Sequence, residues 1–168
     1  MNGKLHLALG ITSGVVGGLL LMQKPIDAYF FSASCILGSV FPDIDLPNSK
    51  LGKYTFGLSR VFNKMFGHRG LFHTPCFLFL SWVLYHLLKK GSISSISFVL
   101  MSGFSIGFLC HLIQDMMTKD GIKIFYPFCK KKIHFTNIKS DSKLHYLITL
   151  IFMIMVITIA PKLIAYIY

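Results

Sequence analysis

The chain has 168 residues, of which 54% are hydrophobic and 14% charged, with a mean hydropathy of +0.64. That balance excludes an ordinary soluble domain and fits a single membrane-embedded unit. Seventeen Lys and Arg stand against six Asp and no Glu, a net charge of +11, so either an anionic partner or basic juxtamembrane loops must account for the excess.

Five apolar segments follow in chain order, at residues 5–22, 28–41, 70–88, 96–113 and 144–160. A helix needs about 20 apolar residues to cross the hydrocarbon core, with a floor near 17. Four segments meet that floor. The second has 14 residues and reads as a short or tilted span or as a re-entrant element. The fold class expected is therefore all-α, an integral membrane helical bundle of four to five transmembrane helices in one domain over residues 1–168. The first run carries one lysine and no small-x-small cleavage site, so it reads as a retained helix rather than a signal peptide. Two long polar connections remain, residues 42–69 and the lysine-rich 114–143. Within the first, "SRVFNKMF" has the pattern of a short helix lying on a membrane surface. Cys35, Cys76, Cys110 and Cys129 show no paired spacing and read as small apolar side chains rather than a disulfide framework or thiolate site.

Threading the five segments in alternation puts the N-terminus and both long connections on one side. That side holds 13 of the 17 basic residues and the other holds Lys24, Lys89, Lys90 and Lys162. By the positive-inside rule the first side is cytoplasmic. The charge is then explained without nucleic acid, and none is expected as a partner.

The same threading gathers the unusual polar residues at the cytoplasmic end. His6 opens the first segment. Asp43 and Asp45, in "FPDID", close the second, and His68 and His73, in "GHRGLFH", open the third. His111 and Asp115, in "HLIQD", close the fourth, and Asp141 and His145 open the fifth. Imidazole with carboxylate suits Zn2+ or another first-row divalent ion. His111 and Asp115 are four residues apart and share a helix face, while Pro42 breaks a helix and leaves Asp43 and Asp45 on a loop that can converge. Taken singly, each has a plainer reading: a cap, a turn carboxylate, a helical hydrogen-bonded pair. His86, near the other end without a partner, reads as structural, and His134, in "KKKIHF", as solvated. Jointly, and on one side of a membrane, the others read as a metal site, since ionisable groups at that depth are costly unless paired or ligating.

At these residues the chain resembles the LexA-regulated, membrane-bound metal-dependent hydrolases, the YdjM-like family. The stretches that carry the resemblance are "GKLHLALG", "FPDIDLPNSKLG", "FGHRGLFHT" and "GFLCHLIQDMMTKDGIKIFYPF", in family order over nearly the whole chain. The family is distantly similar to zinc-dependent phospholipase C, a helical fold holding a cluster of zinc ions. The resemblance implies a divalent metal, Zn2+ first and one to three ions, with His6, Asp43, Asp45, His68, His73, His111 and Asp115 as ligands. Near the start of the last segment the family often carries a glutamate. Here His145 stands there instead, with Asp141 one turn earlier.

Three functions fit these residues. The leading one is a membrane-bound metal-dependent hydrolase acting at the cytoplasmic interface of the inner membrane on a phosphoester of a lipid or lipid-linked substrate. Asp45 or Asp115 would serve as general base, and Arg69 would fork onto phosphate oxygens. Lys50, Lys53 and Lys123 would concentrate anionic lipid. The second is a carrier for divalent ions or protons, against which the apolar segment middles count. The third is a non-catalytic membrane adaptor using the "CKKKIHF" run.

Overall fold

Proline and glycine punctuate the helices of the computed structural model, which describes residues 3–55, 57–67, 69–88, 95–140 and 142–167, with Lys50 and residues 159–167 described by their backbone alone. His68 and Asp141 lie outside the described residues. Among the described residues seven helices follow in order: α1 (Gly3–Leu21), α2 (Pro25–Val40), α3 (Lys50–Tyr54), α4 (Leu58–Phe66), α5 (Pro75–Leu88), α6 (Ser95–Met116) and α7 (Lys143–Ile167). Among the described residues there is no strand, only one antiparallel bridge between Ile122 and Ile133. The all-α expectation holds.

Pro25 occupies the first turn of α2, where its missing N–H costs nothing. Pro42 then turns the chain from α2 into a 3-10 turn over Phe41–Asp45. Ser49 starts α3 by accepting the Gly52 N–H at 2.8 Å. Glycines with positive φ, Gly57 at 93° and Gly67 at 70°, bracket α4, the short amphipathic helix expected from "SRVFNKMF". One boundary differs from expectation. The third apolar segment starts its helix at Pro75 rather than at residue 70, because Thr74 Oγ1 accepts the Phe77 N–H at 3.3 Å as its cap. Residues Leu71–His73 form a separate 3-10 turn, which takes His73 out of the helix.

Helices α1 and α6 are long and apolar enough to cross a bilayer, and α5 and the stretch Lys143–Thr158 of α7 are apolar but shorter. Leu19, Leu37, Phe79, Leu87 and Ile151 are each more than half exposed. So much bare apolar surface suits contact with acyl chains rather than water.

Helix α2 is wedged between α1 and α6, and small residues permit this. A Cβ on Gly103 would overlap the Phe31 carbonyl oxygen, and one on Gly107 the Cys35 carbonyl oxygen. Glycines four apart on one helix let two backbones touch, the packing favoured where lipid offers no hydrophobic drive between helices. This contact sets the height of α2 against α6 and brings Ser39 level with His111. Below that level lies an aromatic platform: Phe41 with Phe104 at 5.4 Å and with Phe77 at 5.5 Å, Phe72 with Phe77 at 5.2 Å, and Phe77 with Phe108 at 5.7 Å between ring centroids. Phe108, Leu112 and Ile122 complete it.

Candidate metal centre

Three of the donors follow a platform residue closely in sequence: Asp43 comes two after Phe41, His73 one after Phe72, and His111 three after Phe108. The platform therefore helps to fix the backbone that carries these three. His6, His73, His111, Asp43, Asp45 and Asp115 are all buried, none more than 6% exposed.

The His73 Nε2 and His111 Nε2 atoms face the same two carboxylates. His73 Nε2 lies 4.0 Å from Asp43 Oδ1 and 3.6 Å from Asp115 Oδ2; His111 Nε2 lies 4.0 Å and 3.7 Å from the same two atoms. A tetrahedral zinc site with bonds near 2.1 Å has donor–donor edges of about 3.4 Å. A small contraction would bring these four atoms to that geometry. Two overlapping groups have donor atoms all within 4.8 Å of one another: Asp43, His73 and His111, and His6, His111 and Asp115. His111 belongs to both. The His6 ring stacks on it with centroids 3.9 Å apart and planes 19° from parallel, and His6 Nε2 lies 3.6 Å from Asp115 Oδ1.

The far sides of the two central imidazoles are also arranged. His111 Nδ1 lies 2.7 Å from the Ser39 carbonyl oxygen. A carbonyl only accepts, so Nδ1 carries a proton and donates it there, and Nε2 is the nitrogen turned to the carboxylates. His73 Nδ1 faces Asp45 Oδ2 at 3.4 Å. Burial pushes the His73 imidazole below the usual histidine range, against the pull of Asp45 and Asp115, so it is neutral at pH 7 and in the form that ligates. An oriented imidazole with a carboxylate or carbonyl behind it is the common second layer of a metal site. The chemistry of the donors fits a divalent ion, and His111 Nε2, Asp115 Oδ2 and His6 Nδ1 are buried with no hydrogen-bond partner.

Asp45 and Arg69 stand behind this centre rather than in it. Asp45 is fully buried, belongs to neither donor group and accepts the Arg69 backbone N–H at 3.2 Å. Arg69 sits at a φ of 59°, a left-handed conformation that costs a side-chain-bearing residue about 1 kcal/mol or more. Its guanidinium is 3% exposed, donates to Asp115 Oδ1 at 2.8 Å and to the Gly121 carbonyl at 3.0 Å, and lies 3.7 Å from Asp120. His145 is buried in the first turn of α7, outside both donor groups. Its carbonyl accepts from Thr149, whose hydroxyl accepts from Gln114 at 3.0 Å. His86 is exposed and stacks on Trp82, and His134 is exposed beside the Thr136 carbonyl. Two contributors were not foreseen. Ser39 acts through its backbone and leaves no side-chain signal, whereas the Gly103–Gly107 spacing that positions it stands openly in the sequence.

The model of the YdjM inner membrane protein family matches residues 1–167. The chain belongs to that family. It is 32% identical to the YvsG protein of Bacillus subtilis over 128 residues, covering 76% of this chain and 74% of that one. It is 32% identical to the inner membrane protein YdjM of Escherichia coli over 101 residues, covering 60% of this chain and 51% of that one, and equally to YdjM of Shigella flexneri. The chain thus matches about half the length of its YdjM relatives. No solved structure matches it. Membership of the YdjM family, together with the two helices long enough to cross a bilayer, makes this a membrane protein, as its composition implied.

Proposed function

We propose that this YdjM-family protein is a metal-dependent hydrolase of the inner membrane, cleaving a phosphoester in a lipid or lipid-linked substrate. The observation that supports this best is the meeting of His73 Nε2 and His111 Nε2 with Asp43 and Asp115, each imidazole backed by an oxygen acceptor. His73, His111, Asp43 and Asp115 would hold the ion, with His6 joining Asp115 and His111 for a second. A divalent ion there would lower the pKa of a bound water to about 7 and polarise the phosphoester. Asp115 would ligate through Oδ2, while Arg69 stabilises that carboxylate from its other oxygen. Asp45 is a positioning residue that orients His73. A lipid tail has room in an apolar cavity of about 240 Å3 between α1, α6 and α7, lined by Ser13, Gly17, Ile106, Cys110, Phe152 and their neighbours. Cys110 in its lining directly precedes His111 in the chain.

The test is release of head group or phosphate from a panel of phospholipids and polyprenyl phosphates by detergent-purified protein, with chelator controls. Release should be abolished by chelator and restored by zinc. Asp115→Asn, in a variant that remains monodisperse, should lower turnover and metal content together, because it weakens an anionic ligand. Hydrolysis that ignores chelator, or full activity in Asp115→Asn, would refute the proposal.

Five crossings with a cytoplasmic N-terminus are part of the same reading, because they place 13 of 17 basic residues on one side. Reporters fused after Lys24 and after Lys132 should then report opposite compartments. The same compartment for both would mean that α2, α5 and α6 do not cross in alternation.

A further inference from the structure

Residues 117–140 carry a feature that the metal centre does not use. The segment folds back on the end of α6 and is pinned there. Phe135 N–H donates to the carbonyl of Met116, the last residue of α6, at 2.7 Å, and Lys119 N–H donates to the Ile138 carbonyl at 2.9 Å. The bridge between Ile122 and Ile133 closes the base with bonds of 3.1 and 2.9 Å. Ile122 is fully buried against Phe108 and Leu112. The base is therefore part of the core.

The tip is the opposite. Phe128 is 91% exposed and Phe125 60%, and Phe135, just beyond the base, is 67% exposed. Lys130, Lys131 and Lys132 follow immediately and are all exposed. No acidic residue occurs between Ile122 and Ser140. A soluble surface rarely holds bare aromatic rings on a rigid hairpin. A second copy of the chain would meet this surface with the same positive charge, which disfavours self-association. Aromatic rings that enter the acyl boundary beside lysines that stay at the head groups are the pattern of an interfacial anchor.

We infer that the 122–133 hairpin is an anionic-lipid anchor: Phe128 and Phe125 enter the membrane interface and Lys130–Lys132 hold acidic head groups. The tether makes this reachable, since the hairpin springs from the end of a helix long enough to span the bilayer. Helix α4 extends the footprint, with Leu58 and Met65 more than half exposed and Arg60 and Lys64 also exposed. The loop that follows α4 reaches the hairpin base, where Arg69 donates to the Gly121 carbonyl. The anchor does not depend on hydrolysis. It would fix the height of the hairpin base, and so of Arg69 and the end of α6, relative to the head groups.

The experiment uses the full chain reconstituted in vesicles of phosphatidylglycerol or of phosphatidylcholine alone. Both leaflets match, so either insertion direction presents the hairpin to the same lipid. In the first readout, unaltered protein is treated with trypsin, and cleavage at Lys130–Lys132 is followed. Cleavage should be slower by at least about fivefold in phosphatidylglycerol, since each lysine near an acidic surface is worth roughly that factor. The protection should fade as salt shortens the screening length. In the second, a Phe128→Trp substitution on a Trp82→Phe background is read by brominated lipids. Its emission should be quenched in phosphatidylglycerol, and Lys130→Gln, Lys131→Gln and Lys132→Gln together should remove the preference for that lipid. Equal cleavage in both lipids with an unquenched indole would overturn the anchor. Equal quenching in both would overturn the recognition of acidic head groups. Protection by added duplex DNA, with none from phosphatidylglycerol, would assign the surface to nucleic acid and overturn the inference as well.

Discussion

Replacing His111 with alanine is expected to strip the purified protein of the ion proposed for this centre, while His86→Ala leaves that ion in place. His111 is the one residue shared by both donor groups, and His6 stacks on its ring, so its loss disturbs every donor of the centre at once. Altering a residue that only orients a ligand costs about 10–100-fold in affinity, and removing a shared ligand should cost more. Elemental analysis of the two variants beside the parent, purified without chelator, is the measurement. His86 is the control because it is exposed and stacked on Trp82. Equal metal in parent and His111→Ala would sink the centre as described, and with it the proposed hydrolase.

The position of this centre was legible before its geometry. Five apolar segments, the second shorter than a full span, collect His6, Asp43, His73, His111 and Asp115 at one end when threaded in alternation, and the structure brings those residues together. That argument needs only segment order and a membrane. The division of labour among those residues was not legible, because it depends on which side of a ring another chain element reaches. Asp45 and Asp43 are two residues apart on one loop, yet Asp45 faces His73 Nδ1 and Asp43 faces Nε2. Nothing in "FPDID" says which does which. His73 was read as the start of a helix and lies in a turn before it, since Thr74 and Pro75 together make a better helix start than Gly70 does. Ser39 works through its carbonyl, which every residue has. Its place depends on the tight packing that Gly103 and Gly107 allow, and those glycines could have been read as a helix contact from their spacing alone.

Arg69 is where sequence and geometry diverge most, and Arg69→Ala separates the two readings. Placed between histidines on a polar loop, the residue reads as a free guanidinium for substrate phosphate. Truncating such a group would weaken substrate binding and leave the fold alone. The geometry gives another outcome. The guanidinium is 3% exposed and bridges Asp115 at 2.8 Å to the Gly121 carbonyl at 3.0 Å, joining the loop before α5 to the end of α6 and the hairpin base. Without it, Asp115 would be left buried, 1% exposed, with its charge no longer offset by that cation. Removing one partner of a buried ion pair costs about 3–5 kcal/mol. For a chain of this size each kcal/mol moves the thermal midpoint by about 2–4 °C. Arg69→Ala should therefore melt roughly 6–20 °C below the parent in the same detergent. Arg69→Lys should recover part of the loss, since it keeps the charge but cannot fork between Asp115 and Gly121. A bound metal supplies positive charge beside Asp115, so the deficit of Arg69→Ala should be larger in chelator than in zinc. An Arg69→Ala protein with the parent's midpoint and a raised KM for a phosphorylated substrate would restore the guanidinium to substrate binding.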